Sequence, residues 1–259
     1  PTLLILDNEG NLRHRITGTR SPREFVDLMA RGLSDETAYT PVKNKYDAGD
    51  RSPRIVTEHL QNLFAAGDLS EVEMRTQAKA YFDSLPDSER LTRDMIYFFK
   101  AFAQSPEEPA ALYFLQNWKF YYDAGQDLDP NDYLIRLYFP YLRDRLPNVN
   151  LQDATLDRYL TLIKRNGMVK SAHTLGFTAR IIEAVATDDW KVVEKIYLKE
   201  VARMDYKKGQ LNLDLLWERL WPATPEKIKP AIRDYLLREQ ASTLENYIDN
   251  YDSLLQKLR

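Results

Sequence analysis

The chain opens Pro1-Thr2-Leu3-Leu4-Ile5-Leu6-Asp7-Asn8-Glu9-Gly10-Asn11-Leu12-Arg13-His14-Arg15-Ile16-Thr17-Gly18, and this stretch is its only clear β signal. Thr2 to Leu6 is a short continuous apolar run of the buried-strand type. Asp7-Asn8-Glu9-Gly10 is a turn cluster, and Leu12 to Thr17 reads as a second, more polar strand closed by Gly18. Together they predict a β-hairpin. Ser21-Pro22-Arg23-Glu24 then supplies a cap, a proline for the first helical position and the glutamate of a capping box. Phe25, Leu28, Met29 and Leu33 form the apolar stripe of the helix that follows. An isolated two-stranded hairpin is marginal in water. This one is therefore expected to pack onto the helices or to pair its open edge with another copy, a route to self-association.

Working outward, residues 35–51 lack periodicity and hold Thr37, Pro41, Asn44, Gly49 and Asp50, which predicts a linker. Beyond it the chain is helix upon helix. Ser52-Pro53 starts one helix that Gly67 stops, and Ser70 with Glu73 makes a second capping box. Thr92, Pro109 and Pro130 open further helices, the Pro109 helix running to Gly125 and the Pro130 helix predicted to kink or break at Pro140. Asp153, Ser171 and Asp188 read as caps, and segments after Asn212, Thr224 and Ser242 complete the set. The reading is a mainly α protein of eleven to twelve helices. They form an irregular, solenoid-like array of helical hairpins, with hairpin and helix at 1–34, linker at 35–51 and helical domain at 52–259.

The order of Pro1, the strand after it, the acidic turn ending in Gly10, the strand ending in Gly18 and the helix from Pro22 resembles the second half of a thioredoxin domain. The segment Tyr46-Asp47-Ala48-Gly49-Asp50-Arg51-Ser52-Pro53 is similar to the helical extensions that follow such domains in some bacterial envelope proteins. The resemblance implies that the first strands and the two-cysteine motif lie ahead of Pro1. It further implies that Pro1 and Thr2 belong to the rim where the family's proline loop holds a substrate backbone, and that the setting is periplasmic or the cell envelope. The rival reading is a plain hairpin that happens to begin a helical protein.

The chain has no cysteine, so it cannot supply the thiolate that attacks a disulfide. With 36 basic against 39 acidic residues it lacks the basic excess that nucleic-acid binding uses. No run approaches the roughly 18 apolar residues of a membrane span. His14, between two arginines on the polar strand, is expected to face solvent. His59 reads as a buried, hydrogen-bonded residue of a helix stripe, and His173 as lying in a first helical turn. None has a partner at metal-ligand spacing, and Asp123, Asp127 and Asp129 fail as a calcium loop because Leu128 and Leu134 stand where glycine and glutamate are needed. No serine elbow or phosphate-binding glycine loop occurs. No catalytic residue, cofactor or metal is assigned.

The densest feature is aromatic, from Tyr97 to Tyr141. At helical spacing such residues form core between helices, or else anchors for a partner. In the second case Trp118, Tyr121, Tyr122 and Arg136 are the protein-binding candidates, with Trp217, Arg219 and Trp221 as a second patch. Two functions remain open: the non-catalytic helical accessory region of a thioredoxin-like protein in thiol–disulfide or protein-folding maintenance, or a helical module that binds a protein or peptide without a redox role.

Overall fold

A computed structural model describes residues 1–19 and 21–258. Strands β1 (Thr2–Leu6) and β2 (Leu12–Thr17) precede helices α1 (Pro22–Leu33), α2 (Tyr39–Asp47), α3 (Pro53–Ala66), α4 (Glu71–Ser84), α5 (Asp87–Arg90), α6 (Met95–Phe102), α7 (Pro109–Gln116) and α8 (Trp118–Ala124). Then come α9 (Pro130–Arg143), α10 (Ala154–Arg165), α11 (Thr174–Ala186), α12 (Trp190–Lys199), α13 (Lys207–Asp214), α14 (Trp217–Leu220), α15 (Lys229–Ser242) and α16 (Ile248–Lys257). The protein is mainly helical with one short antiparallel sheet at its N-terminus. The helices outnumber the expectation because several runs are divided; the Pro109 helix, for one, stops at Gln116 and restarts at Trp118.

Two compact units emerge: Pro1–Phe114 with Lys119–Pro130, and Leu115–Trp118 with Asn131–Arg259. The division falls near 115–130 and not at 35–51. The expected linker is instead folded, because Ala38 and Val42 are fully buried and α2 packs on β2 and α3. The motif from Tyr46 to Pro53 is the corner between α2 and α3. Tyr46 stacks on His59 with ring centroids 3.9 Å apart, and the Arg51 guanidinium lies 3.7 Å from the Tyr46 centroid on a hydrogen bond to the Tyr46 carbonyl. Glycine is required at position 49, where φ is 97°.

In the first unit, β1 and β2 pair from Thr2↔Thr17 to Ile5↔His14. The sheet does pack onto helices: Thr40 Oγ1 donates to the Leu12 carbonyl at 2.6 Å and Thr17 Oγ1 to that of Ala66 at 2.9 Å. Arg13 reaches back from β2 and donates to the last carbonyls of α1, Gly32 and Leu33, both at 2.9 Å, so a strand side chain caps the end of the helix. Both capping boxes form as read, Ser21 with Glu24 and Ser70 with Glu73. Behind them lies an aromatic core in which Phe99, Phe114 and Tyr121 meet at centroid distances of 5.0–5.2 Å.

His14 is not on the surface. It is fully buried because α2 closes over its face of β2, while its arginine neighbours turn outward to bind α1 and Asp68. Its Nδ1 accepts the Tyr39 backbone N–H at 3.0 Å, which puts the proton on Nε2. In the second unit α9 runs as one helix through Pro140, so the break, one of the two predicted outcomes, does not occur. Cap positions also differ there: Asp153 caps α10 as read, but His173 caps α11 in place of Ser171, and Asp189 caps α12 in place of Asp188. Asp188 adopts a φ of 55° and accepts from the Trp190 indole.

Burial first, then the positive charge of Arg31, pushes the His14 imidazole down from 6.5 to about 4. The unfolded chain therefore takes up this proton at higher pH than the folded one. Its contribution to stability is intact above pH 6.5 and is lost as pH falls to about 4. An NMR titration is expected to find His14 neutral down to about pH 4. A folded-state midpoint near 6.5 would contradict the placement.

Candidate functional site

Along α9, Asp132, Ile135, Arg136, Phe139, Pro140 and Arg143 recur at three- and four-residue steps and so fall on one face of the helix. That face forms one wall of a cleft of about 650 Å³ in the second unit. The opposite wall comes from Lys208, Asn212 and Leu215 in and just after α13, and from Glu218 and Arg219 of α14. Ile135 and Phe139 are nearly buried and make an apolar floor, whereas Arg136, Lys208 and Arg219 are exposed at its edges.

The cleft has four cationic side chains, Arg136, Arg143, Lys208 and Arg219, against two carboxylates, Asp132 and Glu218. Both carboxylates are engaged, Asp132 by Lys208 and by the Tyr206 hydroxyl at 3.2 Å, Glu218 by Lys257 at 2.9 Å. Burial works against the Asp132 charge, but the bonds from Lys208 and Tyr206 outweigh it and hold the carboxyl below its ordinary range. Asp144 is shared by Arg143 at 3.1 Å and Arg219 at 3.3 Å. The Arg136 guanidinium sits 5.9 Å from the centroid of the Tyr133 ring, and its charge adds to the field that holds Asp132 down.

Pro140 stands inside α9 and has no N–H to return to the carbonyl four residues back, so this cleft-lining turn makes one backbone bond fewer than a regular helix.

The sequence-chosen residues fall in different places. Arg136 and Arg219, taken from separate aromatic segments, line the same cleft. Trp118 is nearly buried against His173, ring centroids 5.2 Å apart, in the second unit, and Tyr121 is fully buried in the first, its hydroxyl donating to the Arg90 carbonyl at 2.7 Å. Tyr122 is exposed in the first unit. Trp217 is fully buried against Tyr197, and Trp221 packs edge-on to it beneath Lys229. Pro1 and Thr2 are exposed, the Pro1 carbonyl accepting from Gly18 N–H at 2.9 Å. Sequence reasoning missed the α9 face itself, although its three- and four-residue spacing from Asp132 to Arg143 was there to be read.

Other chemistry is sparse. No group of three His, Asp or Glu side chains is placed to hold a metal among the described residues, and no helix among them is long and apolar enough to cross a membrane. A smaller pit of about 190 Å³, floored by Phe82, Phe98 and Phe102, lies in the first unit. Behind the cleft, on α13, Asp214 is wholly buried and accepts hydrogen bonds from Tyr251 at 2.6 Å and Tyr235 at 2.8 Å. Gln210 joins this cluster to Glu239 at 2.6 Å, and Lys207 reaches Gln210 at 2.8 Å. Comparison with known proteins yields no match: no family model, curated protein or solved structure is similar to the chain.

Burial raises the Asp214 carboxyl from 3.8 to about 7, with the two tyrosine hydroxyls pulling the other way. The folded state thus keeps this proton to higher pH than the unfolded state, so its contribution is full below pH 3.8 and declines as pH rises to about 7. Asp214→Asn does not titrate. Its thermal midpoint relative to the parent is expected to improve steadily across that interval, and a gap independent of pH would refute the assignment.

Proposed function

We propose that this chain is a non-catalytic helical binding region of a thioredoxin-like thiol–disulfide protein, docking a polypeptide segment in the cleft of its second unit. The cleft carries the reading: an apolar floor ringed by charged side chains is the anatomy of a peptide-recognition surface. The thioredoxin part is supported by the order of strand, glycine turn, strand and helix at the N-terminus. It is supported as well by apolar surface left uncovered there. Leu4 and Leu6 are 53% and 52% exposed on β1, and Phe25, Val26 and Leu33 are exposed on α1. Apolar surface of this kind invites a covering layer, from the rest of such a fold or from a second copy.

Without cysteine the chain contributes no electrons or thiolate; its part is to hold a client or a partner near chemistry performed elsewhere in the parent protein. Successive helices pack on one another, α2 on α3, α10 on α11, α11 on α12 and α15 on α16, in keeping with an irregular, solenoid-like array. A cell-envelope setting follows from the resemblance alone. The second reading, an interaction module with no redox role, draws on the same cleft.

The two part on the intact mass of the protein purified from its source, measured with its disulfide reductase activity. A mass above 30.3 kDa, with a two-cysteine segment ahead of Pro1 and measurable activity, is the expected result. A natural mass of 30.3 kDa without activity removes the thioredoxin part and leaves the interaction module.

A further inference from the structure

From the groups that line the cleft, we infer that its ligand is an acidic peptide segment carrying an apolar side chain; this rests on the reading of the cleft as a docking site. Two observations select that chemistry. The first is charge. Asp132 and Glu218 are already held by lysines, and the remaining lining side chains with charge are the arginines at 136, 143 and 219. Arg143 and Arg219 share the single Asp144 carboxylate, and Arg136 shares the field of Asp132 with Lys208, so cationic side chains outnumber carboxylates here in a chain whose net charge is -3. A cationic cleft on an acidic protein attracts negative ligands selectively.

The second is the floor. Ile135, Phe139 and Leu215 offer an inorganic anion nothing, but they accept an aliphatic or aromatic side chain. From Asp132 to Arg143 the wall runs about 16 Å, which spans about five residues of extended chain.

The test is fluorescence anisotropy of the whole chain with two labelled peptides of about twelve residues. One is rich in Asp and Glu around a central Phe; the other is its Asn/Gln counterpart. Amide chemical-shift mapping locates each bound peptide. The acidic peptide is expected to bind about tenfold or more tightly than its counterpart, to shift Ile135, Phe139 and Leu215, and to weaken as salt rises from about 50 to about 200 mM. The double variant R136E/R219E, altered at two exposed positions, is expected to lose that preference. Should the variant fail to fold, the salt series on the parent chain supplies the same discrimination. Equal binding of both peptides in the cleft overturns the acidic ligand while leaving the docking site. Binding of neither overturns both. Displacement of the peptide by millimolar inorganic phosphate, with no shifts at Ile135 or Phe139, overturns the peptide in favour of a simple anion.

Discussion

One carboxylate that never meets water ties the second unit together. Asp214 ends α13, and the two hydroxyls it accepts come from α15 and α16, so three helices share a single buried acceptor. Such a group is costly to bury unless every lone pair is answered. That demand fixes α13 in rotation as well as position, and so decides which of its residues face away from the cluster. Those residues, Lys208 and Asn212, form a wall of the cleft. The polar interior and the open surface are thus two sides of one helix.

The first unit depends on a comparable economy at smaller scale. Arg13 supplies to α1 the C-terminal hydrogen bonds that its own backbone lacks, while Gly32 lets that helix approach until a β-carbon would stand 2.4 Å from Ile5 Cδ1 and 3.0 Å from His14 Cδ2. A hairpin too small to stand alone is held by side-chain bonds from its own strand and by α1 and α2 packed together on the face that carries His14.

How much of this was legible depended on whether a signal was local. The capping boxes at Ser21 and Ser70, the glycine stop at Gly67 and the hairpin were readable because a few adjacent residues determine each. Residues 35–51 were not. Their helix has weak amphipathic character of its own and forms because Ala38 and Val42 find cover on β2, distant in sequence, and on α3. His14 misled for the same reason: its arginine neighbours describe the exposed character of the strand, and only the arrival of α2 buries the residue between them. Among candidate ligand contacts, Arg136 and Arg219 emerged from aromatic-rich surroundings, but the aromatic residues beside them, Tyr121 and Trp217 above all, went to the core. Residue type alone does not separate an anchor from a core ring at helical spacing.

Asp144 gives the cleft a resident competitor. Because it already occupies Arg143 and Arg219, an incoming anion must displace a tethered carboxylate whose effective concentration does not fall on dilution. The three side chains are about half exposed, so the contest is mild, but it favours a ligand that engages several cations at once over a singly charged solute. On the proposed reading of the cleft, the shared aspartate tilts the patch toward multivalent ligands without any moving part.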